Sequence, residues 1–128
     1  MKKQKYDLEE RLIRFTINVC ELAENIDKTA LGTYISNQII RSGASPALNY
    51  AEAQSAESPR DFIHKLKIVL KELRETKVSL KIIKIKPLTS DQETVNKLLN
   101  ETEELLAIFS KSVSTASLSI IKKKPTDE

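Results

Sequence analysis

The sequence predicts an all-α protein, an up-down-up-down antiparallel four-helix bundle that assembles into a homo-oligomer. Three observations carry this. Two Gly and four Pro stand against 21 Lys and Arg and 18 Asp and Glu in a Leu/Ile-rich background, which leaves too little turn chemistry for a β protein. Apolar residues recur at alternating steps of four and three, the seam of a packed helix. The links between these stretches are short, as antiparallel neighbours require. A chain of 128 residues is long enough for one domain with a single core.

The helices are expected at about 7–27, 30–56, 59–85 and 91–117, in a bundle spanning 1–121, with 1–6 as a frayed basic lead and 122–128 as a disordered basic tail. In the first, Asp7 and Glu10 form a capping-box-like start. Leu8, Leu12, Phe15, Val19, Leu22 and Ile26 line its seam, widened by Ile13 and Cys20. Asp27 or Thr29 is the next cap. The second helix contains Gly43 and Pro46. Pro46 has no N–H to donate to Ser42, so a kink near 43–46 or a break with Ser45 as a new cap is expected. Ser58-Pro59-Arg60-Asp61 places Ser at the N-cap, Pro at the first helical position and Asp at the third, the sharpest helix start in the chain. Phe62, Leu66, Val69, Leu73, Thr76, Leu80 and Ile83 follow as a seam that ends at Lys86-Pro87, because the residue before proline is pushed out of the α region. Ser90-Asp91-Gln92-Glu93 reads as a further capping box. It opens a fourth seam of Val95, Leu98, Thr102, Leu105 and Phe109, flanked by Leu99, Leu106 and Val113. Beyond it the Ser/Thr-rich run from Ser110 to Ser119 is a weak helix former.

Composition excludes several classes. One cysteine, Cys20, allows neither a disulfide framework nor a metal quartet within one chain, and it reads as a buried structural thiol in a reducing, cytoplasmic protein. No apolar run approaches the ~18 to 20 residues of a membrane span. The net charge of +3 is unevenly distributed: residues 57–86 hold nine basic groups against four acidic ones, whereas residues 1–56 balance at seven each and residues 87–128 hold five against seven.

Two constellations stand out. At about 100° per residue, Gln38, Arg41, Ser45, Asn49 and Glu52 form one polar stripe on the second helix, while Leu31, Tyr34 and Ile35 begin the same face and Ile40, Ala47, Leu48 and Ala51 lie opposite. A helix with two apolar sides packs its own bundle on one and a neighbouring subunit on the other. The stripe is then a buried hydrogen-bonded network with Glu72 as a partner for Arg41, since unpaired buried polar groups are costly. Alternatively, a kink at Pro46 re-phases the helix and leaves the stripe in water. On the third helix Arg60, Lys67, Lys71, Arg74 and Lys81 share one face opposite the seam, with His64 beside them and Glu72 and Glu75 off the stripe. This is either a solvated face or a band of one sign that neutralises phosphates. No aromatic is interleaved for base stacking. Glu52, His64, Glu72 and Glu75 do not make a dimetal site, which needs a Glu-x-x-His pair on each of two helices where this chain has one His. There is no nucleophile elbow and no phosphate loop, so no metal, cofactor or enzymatic activity is expected.

The run Arg41-Ser-Gly-Ala-Ser-Pro-Ala-Leu-Asn-Tyr-Ala-Glu-Ala-Gln-Ser-Ala-Glu-Ser58, the run from Asp61 to Thr76, and Tyr6-Asp-Leu-Glu-Glu-Arg-Leu-Ile-Arg-Phe15 together resemble the four-helix-bundle proteins encoded in intervening sequences of bacterial 23S ribosomal RNA genes. The likeness covers about residues 6–86, with Arg41, Ser42, Ser45, Asn49, Glu52, Lys71 and Glu72 at the matching positions. It implies a ring-like homopentamer with no established enzymatic activity. The related accessory proteins of diversity-generating retroelements are similar in fold, and there a basic pentamer works with nucleic acid and a reverse transcriptase. Val78-Ser79-Leu80 departs from the pattern, where an aromatic pair commonly precedes the leucine.

The expectation is a non-enzymatic oligomer, a pentamer by the resemblance, that binds RNA or DNA backbone through the outward face of the third helix. The other reading is a structural or adaptor oligomer that binds another protein.

Overall fold

The structure, a computed structural model, describes residues 7–123. Among these, four helices are the regular elements: α1 (Leu8–Ala23), α2 (Ala30–Gln54), α3 (Pro59–Ile85) and α4 (Gln92–Lys123). Each helix packs on the next in sequence, and α1 also touches α4. The Thr16 hydroxyl donates to the Gly43 carbonyl and the Ser36 hydroxyl to that of Ala23. Glu52 meets Lys65, Arg41 meets Glu75, and Lys77 meets Glu103.

Local chemistry starts each helix. The Asp7 carboxylate accepts from the Glu10 N–H at 3.2 Å, Thr29 Oγ1 from the Gly32 N–H at 3.0 Å, and Ser58 Oγ from the Asp61 N–H at 3.0 Å. Asp61 returns the contact by accepting from the Glu57 N–H, the reciprocal logic of a capping box. For α4 the cap is Asp91 rather than Ser90: its carboxylate accepts from the N–H and the hydroxyl of Thr94. Those two bonds favour the ionised form and hold the Asp91 carboxyl below its usual range.

The core is built from the four seams. Leu12, Phe15, Val19 and Leu22 of α1, Ile35 and Ile39 of α2, Leu66, Val69, Leu73, Leu80 and Ile83 of α3, and Val95, Leu98, Leu105 and Phe109 of α4 are all buried. Tyr50 packs edge-on against Phe109 with centroids 5.6 Å apart. A Cβ on Gly43 would stand 2.7 Å from Val19 Cγ1, so the glycine is what lets α1 and α2 approach this closely.

Several expectations are corrected. Helix α1 stops at Ala23 rather than 27. The Asn25 and Ile26 N–H groups tighten onto Leu22 and Ala23, and the Asp27 N–H is drawn to the Leu88 carbonyl at 2.8 Å, tying two links together. Helix α2 runs without a break through Pro46, which is buried inside it, so Ser45 caps nothing. Ile13 faces outward and Cys20 is half-buried. Helix α4 continues to Lys123, so Lys122 and Lys123 belong to it, while 1–6 and 124–128 lie outside the described residues. By length and composition α4 also revises the reading on membrane spans. Between Gln92 and Lys122 it holds an eighteen-residue window with a mean hydropathy of 1.3, 11% of it buried. One such helix is weak evidence of a span: α4 supplies Val95, Leu98, Leu105 and Phe109 to the core, while most of the apolar stretch itself lies at the surface.

Candidate functional site

Helix α3 has its apolar seam inward, which turns Arg60, Lys67, Lys71, Arg74 and Lys81 outward together, with His64 beside them; all six are exposed. From Arg60 to Lys81 the row runs for about 30 Å at 1.5 Å per residue. The cations on its flanks behave differently. The Lys65 ammonium donates to Glu52 at 2.6 Å, which raises its pKa, and Lys77 reaches Glu103 at 2.5 Å. The acids that could have quenched the outer row, Glu72 and Glu75, are both engaged by Arg41 of α2, at 3.1 and 2.5 Å. The Glu75 bond is the main reason the Arg41 pKa is raised. Among the described residues none of the five outward cations has an ion pair or a side-chain hydrogen bond. The face is therefore a band of one sign, and what it can do chemically is neutralise an anion spread along its length.

The polar stripe of α2 resolves into three pieces rather than one network. Gln38, Arg41 and Glu72 are joined with Glu75, Asn49 donates to the Ser45 hydroxyl at 2.8 Å and to its carbonyl, and Glu52 turns to Lys65. Of these residues only Glu72 is buried. Sequence reasoning missed the buried polar pair at this seam. The Thr76 and Ser42 hydroxyls share a 2.8 Å hydrogen bond, and Thr76 also bonds the Glu72 carbonyl at 3.0 Å. Ser42 was visible as a small polar residue one step past the stripe, and Thr76 sat unremarked in an apolar seam. Tyr34, read from the sequence as part of the apolar start of the α2 face, lines a cleft with Arg74, Glu75 and Val78 of α3. Among the described residues no group of three or more His, Cys, Asp or Glu is arranged to hold a metal ion.

Two more grooves flank the bundle. One, between α1 and α4, mixes Arg11, Arg14 and Lys97 with Glu21, Asp91 and Glu101, and Arg11 closes that seam by a bidentate bond to Glu101 at 2.6 and 2.8 Å. The other lies between the start of α3 and the end of α4 and is lined by Arg60, Ile63, His64, Lys67, Ser117, Ile120 and Ile121.

Compared with known proteins, residues 4–111 match the family described as 23S rRNA-intervening sequence protein. The chain belongs to that family. A solved structure similar to this 23S rRNA-intervening sequence family member is a protein of unknown function from the S23 ribosomal protein family of Bacteroides thetaiotaomicron. It shares 27% sequence identity with a TM-score of 0.76, over 84% of this chain and 98% of that one. No curated protein matches. Within the family match, Arg41, Ser42, Ser45, Asn49, Glu52 and Glu72 fall along the α2–α3 side of the bundle, whereas Lys71 stands on the outward face of α3.

Proposed function

We propose that this member of the 23S rRNA-intervening sequence family is a non-enzymatic cytoplasmic oligomer that binds the phosphate backbone of RNA or DNA through the outward face of α3. The observation that carries the reading is the division among the cations of α3. Lys65 and Lys77 are satisfied by acids of α2 and α4, while Arg60, Lys67, Lys71, Arg74 and Lys81 are exposed and unpaired among the described residues. The contacts of Ala23 with Ser36 and Thr16 with Gly43, with their opposite order along α1 and α2, support an up-down-up-down arrangement.

Self-association, as a ring-like homopentamer, is supported by apolar side chains left in water on two separate regions. Ile13, Ile17, Ile40 and Leu48 occupy α1 and α2. Leu31, Tyr34, Val78 and Ile85 occupy α2 and α3, with Tyr34 and Val78 lining one cleft. Two unlike patches suit a head-to-tail contact, which closes into a ring when its rotation permits.

The test is binding of the purified protein to structured ribosomal RNA fragments and to duplex DNA of equal length at several salt concentrations. Replacing Lys67, Lys71 and Arg74 by Gln removes three phosphate contacts, so the log–log salt slope should become shallower by about 2 to 3. Full-strength binding by that triple variant, or none by the parent at low salt, would refute the reading and leave the adaptor reading, which the exposed Tyr34, Val78 and Ile85 favour. For assembly, Asn49→Leu is expected to shift the sedimentation profile by altering the Ser45–Asn49 pair on the α2 surface; an unchanged profile places that pair outside the subunit contact.

A further inference from the structure

Helix α4 outruns its neighbours. Its 32 residues compare with 16 in α1, a difference of about 24 Å at 1.5 Å per residue. Arg11, near the start of α1, already sits opposite Glu101 and Glu104, and the last buried core residue of α4 is Phe109. From there on, α4 lies against the first turns of α3, and the groove between them holds about 400 Å³. Its floor is aliphatic: Ile63, Ile120 and Ile121. Leu118 and Ile121 are 56% and 63% exposed. Its rim is basic: Arg60, His64 and Lys67 stand at successive steps of four and three along α3.

We infer that this groove docks an amphipathic acidic helix of another protein, one that sets aliphatic side chains on the floor and carboxylates against the rim. Charge complementarity selects the partner. Every ionisable group lining the groove is basic, in contrast to the other two clefts described, each of which holds both signs. The nearby Asp61 carboxylate is taken up at the start of α3 by the Glu57 N–H. The rim cations Arg60 and Lys67, at i and i+7, match carboxylates at the same spacing on a helix lying alongside. The isoleucines Ile63, Ile120 and Ile121 offer phosphates no partner and suit aliphatic side chains instead, which favours a protein helix over nucleic acid in the groove itself. A membrane surface would need cations and apolar residues on one convex face, and here they line a groove between two helices. Ser117, Ile120 and Ile121 lie past the residues matched by the family, which end at 111, so the site goes beyond the backbone-binding reading. It shares Arg60 and Lys67 with that reading, and the two ligands compete.

The test uses the full chain and three fluorescent helical peptides of about 15 residues: Leu face with Glu flanks, Leu face with Lys flanks, and Ser face with Glu flanks. Anisotropy titrations are expected to show the first binding about tenfold or more tighter than either control. Ile121→Ser, and separately Arg60→Gln with Lys67→Gln, should each weaken it about tenfold. Residues 60–67 and 117–121 should carry the amide shifts in NMR spectra. Lys71→Gln with Arg74→Gln and Lys81→Gln should leave peptide binding intact while weakening nucleic-acid binding, so failure of one reading is separable from failure of the other. Equal binding of the two Leu-faced peptides, no binding of the Glu/Leu peptide, or amide shifts elsewhere would overturn the inference. So would a change of oligomeric state in Ile121→Ser, because the groove would then be an interface between copies.

Discussion

Helix α3 carries two faces that obey different rules. Inward, Leu66, Val69, Leu73, Leu80 and Ile83 are buried, and two polar groups among them are matched: Thr76 to Ser42, and Glu72 to Arg41. Outward, five cations have neither acid nor hydrogen-bond partner among the described residues. The first face is what folding requires, since unmatched buried groups cost free energy. The second is free of that requirement, because water solvates an exposed ammonium or guanidinium without help. Folding therefore explains the apolar seam on one side of α3 and constrains none of the charges on the other, which is why the outward side is where a binding role has to be sought.

The comparison breaks most clearly at Leu73, fully buried at the centre of the inward seam. Leu73→Ala is expected to lower unfolding free energy by about 2 to 5 kcal/mol, while on the outward face of the same turn Lys71→Ala or Arg74→Ala stays within about 0.5 kcal/mol. Denaturant melts read the first difference, and backbone binding at low salt should rank the variants in the opposite order, with folded Leu73→Ala binding like the parent. If Leu73→Ala and Arg74→Ala move stability by the same amount, the two faces are not independent.

A sharper test lies on the seam between α2 and α3. Thr76→Val preserves shape but leaves the Ser42 hydroxyl, 1% exposed, without its partner, at a cost of about 1 to 3 kcal/mol. The double variant Ser42→Ala with Thr76→Val removes both ends and should cost less than the sum of the single changes. Additive costs in chemical denaturation would show that the hydroxyls do not depend on each other.

What the sequence made legible follows the same division. The seams of α1, α3 and α4 were readable because burial imposes a period: Leu12, Phe15 and Val19, or Leu98, Leu105 and Phe109, cannot be elsewhere once the helix forms. The outward cations were readable for the converse reason, since they fill the positions the seam leaves. Helix α2 was harder. Its small residues permit contact on any side, so Pro46 could be buried without ending the helix and the polar stripe could divide among three partners. The end of α1 depended on the Asp27 N–H finding the Leu88 carbonyl, a contact 61 positions away in sequence that no local pattern encodes. The groove at the end of α4 was hidden because serine-rich sequence signals weak helix, and only packing against the first turns of α3 shows that it continues.

The smallest expected effect separates a paired cation from an unpaired one two residues away. Lys65 donates to Glu52 across the α2–α3 seam, and that bond raises its pKa in the folded protein. A group whose folded pKa lies above its unfolded value stabilises the fold while it is protonated in both states. Its contribution is therefore complete below about pH 10.4, the ordinary lysine value, and fades as pH rises through the folded pKa. Lys65→Met should remove this alkaline loss and flatten the upper limb of a stability–pH profile, at the expense of slightly lower stability near neutrality. Lys67→Met, on the outward face without a partner among the described residues, removes no folded-state bond and should leave the profile of the parent. Urea melts between about pH 8 and 11 would measure both. Equal flattening by the two substitutions would mean that the alkaline limb reflects the overall positive field of α3 rather than the Lys65–Glu52 bond, and the distinction between a folding flank and a binding face would then need to be redrawn at that point of the helix.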